Sequence, residues 1–213
     1  MMGGDIPVLF AANLIGTFAF GLSGGMAGVR AGLDVFGVLV LAAVVGLAGG
    51  ITRDLLIGIP PQTFRDWRFL AVVAAAGVLT SIAHPFLARM QRPVDVLDAF
   101  GLAVFCVSGA LTALQHHVGP VEAVVLGMVT AVGGGIVRDL FVDEIPTVLR
   151  SELYAIPALI GATIFVIPRH LHHDALLWPI AGALTCFLIR LFGMHYGIDA
   201  PRPRRPRDAN RIS

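Results

Sequence analysis

Gly49-Gly50-Ile51-Thr52-Arg53-Asp54 returns 85 residues later, with one change, as Gly134-Gly135-Ile136-Val137-Arg138-Asp139. At that offset residues 13–82 overlay residues 98–167 without a gap. The overlay matches Gly16 with Gly101, Phe20 with Phe105, Ser23 with Ser108, Gly24 with Gly109, Leu55 with Leu140, Pro61 with Pro146 and Arg65 with Arg150. Sixteen of the 70 positions are identical, and eleven of these are Gly, Ser, Pro, Arg, Asp or their immediate Ile and Leu neighbours. Apolar composition does not align such residues by itself, so the chain carries an internal duplication.

The surroundings of the motif are apolar. With 56% hydrophobic and 14% charged residues and a mean hydropathy of +0.83, there is too little polar surface to enclose a water-soluble core. An all-α integral membrane protein follows. Charge-free runs at Ile6–Val29, Val35–Thr52, Phe69–Ala88, Ala99–Val121, Ala123–Val137, Leu153–Pro168 and Ala175–Ile189 are near the ~20 residues that cross a bilayer, which predicts seven spans. The first is not a removable signal, because Asp5 and no basic residue precede it and its apolar run is too long. Cys106 and Cys186 fall inside spans and read as packing residues.

Three spans per copy is an odd number, so the second copy enters the membrane from the opposite side and the two form an inverted repeat. The expected organisation is one transmembrane domain over residues 1–195. It holds repeat one at 6–90, repeat two at 96–168 and a seventh helix at 174–195, followed by a basic Pro/Arg tail at 196–213. All 15 basic residues are Arg. Arg30, Arg89, Arg92, Arg150 and the tail lie on one side, against Arg65, Arg68 and Arg169 on the other. The richer side is expected to be cytoplasmic, with the N-terminus outside, in the inner cell membrane.

Gly21, Gly24, Gly25 and Gly28 on the first span form the small-residue face that lets helices approach in lipid. The pairs Gly49-Gly50 and Gly134-Gly135 predict something further: a break in the second and fifth spans, with freed carbonyls available to cations. Arg53-Asp54 and Arg138-Asp139 follow immediately, flanked by apolar residues on both sides. Charges at membrane depth cost on the order of 3 kcal/mol each and call for pairing or water. The alternative makes them interfacial anchors near helix ends. Inversion adds a geometric expectation, with Ser23 level with Arg138 and Ser108 level with Arg53. Asp98 and Glu122 read as helix N-terminal residues, and His116, His117, His170, His172 and His173 as exposed loop residues with no metal site expected.

The duplicated Gly-Gly-x-x-Arg-Asp motif on spans two and five, and the Ser-Gly pair on spans one and four, resemble the prokaryotic trimeric intracellular cation (TRIC) channels, also catalogued as a glycine-transporter-like family. The resemblance implies a homotrimer with a pore inside each subunit, between the repeats, lined by kinked helices two and five and passing K⁺ and Na⁺. It assigns the kinks to Gly49, Gly50, Gly134 and Gly135, and the pore charges to Arg53, Asp54, Arg138 and Asp139. Animal members carry Lys-Glu-Val where this chain has Arg53-Asp54-Leu55, a departure at a motif associated with phosphoinositide binding.

The expected function is therefore passive conduction through a hydrated path, without cofactors, in contact with membrane lipid. The Arg–Asp pairs and Ser23 and Ser108 would set its occupancy and gating. Two alternatives belong to other classes. One is a secondary transporter in which Arg53 or Arg138 binds the carboxylate of a small amino acid such as glycine. The other is a structural membrane protein whose glycines only pack helices. No nucleophile–base pair, metal-ligand spacing or phosphate loop suggests an enzyme, and no motif reads nucleic acid.

Overall fold

The computed structural model describes residues 5–83, 92–150, 153–173 and 175–197. The chain is all-helical there: α1 Asp5–Arg30, α2 Val35–Ile57, α3 Trp67–Ile82, α4 Arg92–Gln115, α5 Pro120–Phe141, the single turn α6 Thr147–Arg150, α7 Ala155–His170 and α8 Leu177–Tyr196. Local chemistry marks the ends. Asp34 caps α2, its side chain accepting the Gly37 N–H at 2.7 Å, and Asp66 caps α3 through the Arg68 N–H at 2.9 Å. Pro120 opens α5, where a missing N–H costs nothing. Gly58 and Gly197 end α2 and α8 with φ of +80° and +58°, a conformation favouring glycine.

Helices α1, α2, α4, α5 and α8 are long and apolar enough to cross a bilayer, while α3 and α7 are apolar but only 16 residues long. One boundary differs from expectation: the fourth span begins at Arg92 rather than Ala99, while the fifth, Pro120–Phe141, extends beyond its charge-free run Ala123–Val137 to take in Arg138 and Asp139. Charge-free windows stop at the first charge, whereas Asp98, Arg138 and Asp139 are charges the helices carry inside the protein. Residues 84–91 at the end of the expected third span, and the tail from 198, lie outside the described residues.

The duplication is visible in the packing. Phe20 covers Gly101 and Phe105 covers Gly16, and the two rings stack with centroids 5.3 Å apart. Likewise a methyl on Gly49 would run into the Thr130 carbonyl, and one on Gly134 would come within 2.8 Å of the Val45 carbonyl. Each contact has its mirror, the signature of a two-fold relation. Since 16 and 20 meet 105 and 101, and 45 and 49 meet 134 and 130, both pairs run antiparallel. Helix α8 has no mirror and packs on α4 and α7. It turns Leu177, Ile180, Leu184, Leu188 and Phe192 outward, an apolar stripe suited to lipid.

The expected helix breaks are absent. Both Gly-Gly pairs lie within uninterrupted helix, so Gly49, Gly50, Gly134 and Gly135 free no carbonyls by a break. In the fold, Gly49, Gly133 and Gly134 sit where α2 and α5 cross, and the neighbouring backbone occupies the space that side chains would need.

Candidate functional site

Near the C-terminal end of α2, Arg53 and Asp54 are each 2% exposed. Neighbours in sequence do not share a helix face, yet the long arginine curls back. Its Nε and Nη2 donate to Asp54 Oδ1 at 2.8 and 2.7 Å. Its Nη1 donates to the side-chain Oδ1 of Asn13 on α1 at 3.5 Å. Asp54 Oδ2 accepts the backbone N–H of Gln62 at 2.8 Å, so the aspartate also ties down the loop after its helix. The Asn13 amide donates to Gln62 Oε1 at 3.3 Å.

The second copy repeats this geometry and adds to it. Arg138 Nε and Nη2 donate to Asp139 Oδ1 at 2.9 and 2.8 Å, and Asp139 Oδ2 accepts the Thr147 N–H and hydroxyl at 2.7 and 2.8 Å. Arg138 Nη1 then donates to Asp98 Oδ1 at 2.7 Å and to the Ser23 hydroxyl at 2.9 Å. Tyr154 donates its hydroxyl to Asp98 Oδ1 at 3.1 Å, occupying the space left by Gly135. Beyond the tyrosine, the Arg190 guanidinium lies 4.7 Å above its ring and donates to the Leu153 carbonyl at 3.0 Å.

Two cavities differ sharply. About 240 Å³ opens over Arg138 and Asp139, edged by Arg30, Asp95, Glu144 and Thr147. Around Arg53, between Asn13, Gly50, Gln62 and Phe105, only about 10 Å³ remains. A water needs roughly 10–15 Å³, so the first cavity admits several waters and the second at most one.

Ser23 meets Arg138 as the inversion argument expected, but Ser108 does not meet Arg53. It is buried without a hydrogen-bond partner among the described residues, and lines a separate, largely apolar cavity of about 470 Å³ between α1, α4, α7 and α8. Asp98 is the larger correction. It does not open the fourth span but sits inside α4, 1% exposed, as a second carboxylate on Arg138. Its signal was in the overlay, where Asp98 pairs with Asn13 at the same 40-residue distance from its arginine. Tyr154 and Arg190 were missed as well. Tyr154 overlays Phe69, while Arg190 lies beyond the duplicated segment. Glu122 does occupy the first turn of α5, and the described residues contain no group of three or more potential metal ligands.

Comparison with known proteins follows the same division. The glycine transporter family model matches twice, at residues 10–85 and 95–170, again 85 apart and together more than half of the chain. A UPF0126 membrane protein of Streptomyces coelicolor is 48% identical over 93% of this chain and 92% of its own. The UPF0126 inner membrane protein YadS of Escherichia coli is 33% identical over 91% and 95%. Among solved structures, the TRIC trimeric intracellular cation channel orthologue from Rhodobacter sphaeroides superposes with a TM-score of 0.83 at 33% identity, covering 90% of this chain and 99% of that one. A second TRIC cation channel gives 0.81 at 32% identity, covering 97% and 100%.

Proposed function

This chain belongs to the glycine transporter family, and from that membership we propose that it is a channel conducting monovalent cations, K⁺ and Na⁺, passively between its two repeats. The observation that carries the reading is that Arg53 and Arg138, near the ends of the antiparallel helices α2 and α5, are both buried and paired with aspartate, Arg138 lining a 240 Å³ cavity. A bare guanidinium would repel a cation 4 Å away by roughly 4 kcal/mol at an effective dielectric of 20. Paired with aspartate it does not. The oxygens of Ser23, Asp98, Asp139 and Thr147 then take over part of the hydration shell, a role the sequence had assigned to broken-helix carbonyls.

In this conformation the path is wide at one end and shut at the other, because Arg53, Asn13 and Phe105 leave almost no space. Opening requires Arg53 to leave Asn13 and the Phe105 ring to shift. By the positive-inside rule the wide end faces the cytoplasm and the N-terminus faces out across the inner membrane. The five long helices cross, and so do the shorter α3 and α7, making seven spans, and the subunits assemble as a homotrimer like the Rhodobacter neighbour. In this reading repeat one is assigned to residues 6–90 and repeat two to 96–168, with the seventh crossing, α8, as an unduplicated helix and the basic tail in the cytoplasm.

A carrier would have to place a substrate carboxylate on Arg53 or Arg138, but both already hold carboxylates, and the structural neighbours are channels. The test is single-channel recording of purified protein in a planar bilayer under a KCl gradient. Discrete openings reversing near the K⁺ equilibrium potential, reduced by Asp139→Asn, are the expected result. Saturable glycine uptake in vesicles from a preparation that stays electrically silent would replace this reading with the carrier.

A further inference from the structure

The two Arg–Asp pairs overlay, but three of their neighbours differ: Gln62 stands where the second repeat has Thr147, and two further changes bear on charge. Asn13 stands where the second repeat has Asp98, and Phe69 stands where it has Tyr154. The second cluster therefore carries one more carboxylate, together with the hydroxyl that donates to it at 3.1 Å. A buried carboxylate without a matching cation is unstable, and Arg138 already serves Asp139. The matching cation comes from outside the duplication. Arg190 on α8 is 6% exposed and lies over the ring of Tyr154, the residue whose hydroxyl donates to Asp98. Gly193, one turn further on, lets α8 close against Leu153, whose carbonyl holds the Arg190 guanidinium. Asp98 Oδ2 and Arg190 Nε are both buried without hydrogen-bond partners among the described residues, so each keeps bonding capacity in reserve.

We propose that Arg190 is the countercharge of Asp98, supplied by the unduplicated α8, and that this arm makes the wide-end cluster electrically neutral and sets its preference for cations. Arginines 138 and 190 then balance aspartates 98 and 139, as Arg53 balances Asp54 at the other end. Arg190 is a positioning residue acting through Tyr154 and Asp98. The inference rests on the channel reading for its effect on ions, but not for the charge pairing itself.

Asp98→Asn and Arg190→Met, made singly and together in the full chain, test it. Each single change leaves one unbalanced buried charge and is expected to lower the melting midpoint of the purified protein by roughly 5 °C. The double variant should recover more than half of that loss. Under a KCl gradient, Asp98→Asn should cut K⁺ current several-fold, while Arg190→Met moves the reversal potential closer to that of K⁺, and the double variant should return toward the parent. Arg190→Lys keeps the charge and should keep the parent's reversal potential. Additive melting losses in the double variant would overturn the pairing whether or not the protein conducts. Single changes that alter conduction in the same direction, or a Lys variant as altered as the Met variant, would overturn the link to the ion path. If a single variant yields no folded protein, recovery of folded double variant supports the pairing and failure of both overturns it.

Discussion

The ends of α2 and α5 carry nearly the same six residues and behave alike only up to a point. In both, the aspartate divides its oxygens identically, Oδ1 to its neighbouring arginine and Oδ2 to the backbone N–H eight residues on, at 2.8 and 2.7 Å. That part is local and the motif carries it. What differs is what the guanidinium meets across the helix interface: an amide at 3.5 Å on α1, or a carboxylate at 2.7 Å and a hydroxyl on α4 and α1. One end is closed over about 10 Å³ and the other opens over about 240 Å³. A repeated motif thus fixes an anchor, while the elements packed on it decide whether the anchor is closed over or faces a cavity.

The largest expected effect tests the anchors. Removing one member of a buried ion pair costs about 3–5 kcal/mol, because the survivor stays desolvated. Asp54→Asn leaves Arg53 with only Asn13, whereas Asp139→Asn leaves Arg138 with Asp98. We therefore expect Asp54→Asn to fall near the upper end and Asp139→Asn about 1–2 kcal/mol below it, measured as melting midpoints in detergent. Equal losses would break the comparison by showing that Asp98 does not hold Arg138.

The glycines give an intermediate effect. A methyl at Gly135 would strike the Tyr154 hydroxyl, while one at Gly50 meets nothing within 4 Å. Gly135→Ala should cost about 1–3 kcal/mol by overpacking, and Tyr154→Phe should recover part of it. Gly50→Ala should be neutral or gain up to about 1 kcal/mol from helix propensity. A costly Gly50→Ala would mean that the tight end needs a flexible glycine after all.

The smallest effect lies with the duplicated serines. Ser23→Ala removes an acceptor from a charged donor and should cost about 1–2 kcal/mol, whereas Ser108→Ala removes an unpartnered hydroxyl and should stay within about 0.5 kcal/mol. Similar values for both would restore the symmetric arrangement expected from sequence.

Much of this was legible beforehand because it depends on pattern alone. The Ser23–Arg138 contact, 115 residues apart in sequence, came from counting spans and inverting the second copy. In sequence Asp98 resembles a cap, because a charge next to an apolar run looks like a helix start and hydropathy does not register a charge neutralised by another helix. In sequence the Gly-Gly pairs resemble breaks, because local propensity records glycine's freedom but not the carbonyl of Thr130 or Val45 pressed against it. Arg190 was invisible to the repeat argument because the repeat ends before it.

The sequence by itself determined a membrane-spanning, duplicated helical chain whose copies run in opposite senses, since composition, spacing and an odd span count are properties of the chain read in one dimension. Only the tertiary structure decided which carboxylates each arginine holds and which end stands open. Those choices depend on side chains brought together from 40 to 115 residues apart, where a difference of one amide against one carboxylate outweighs the identity of the motif.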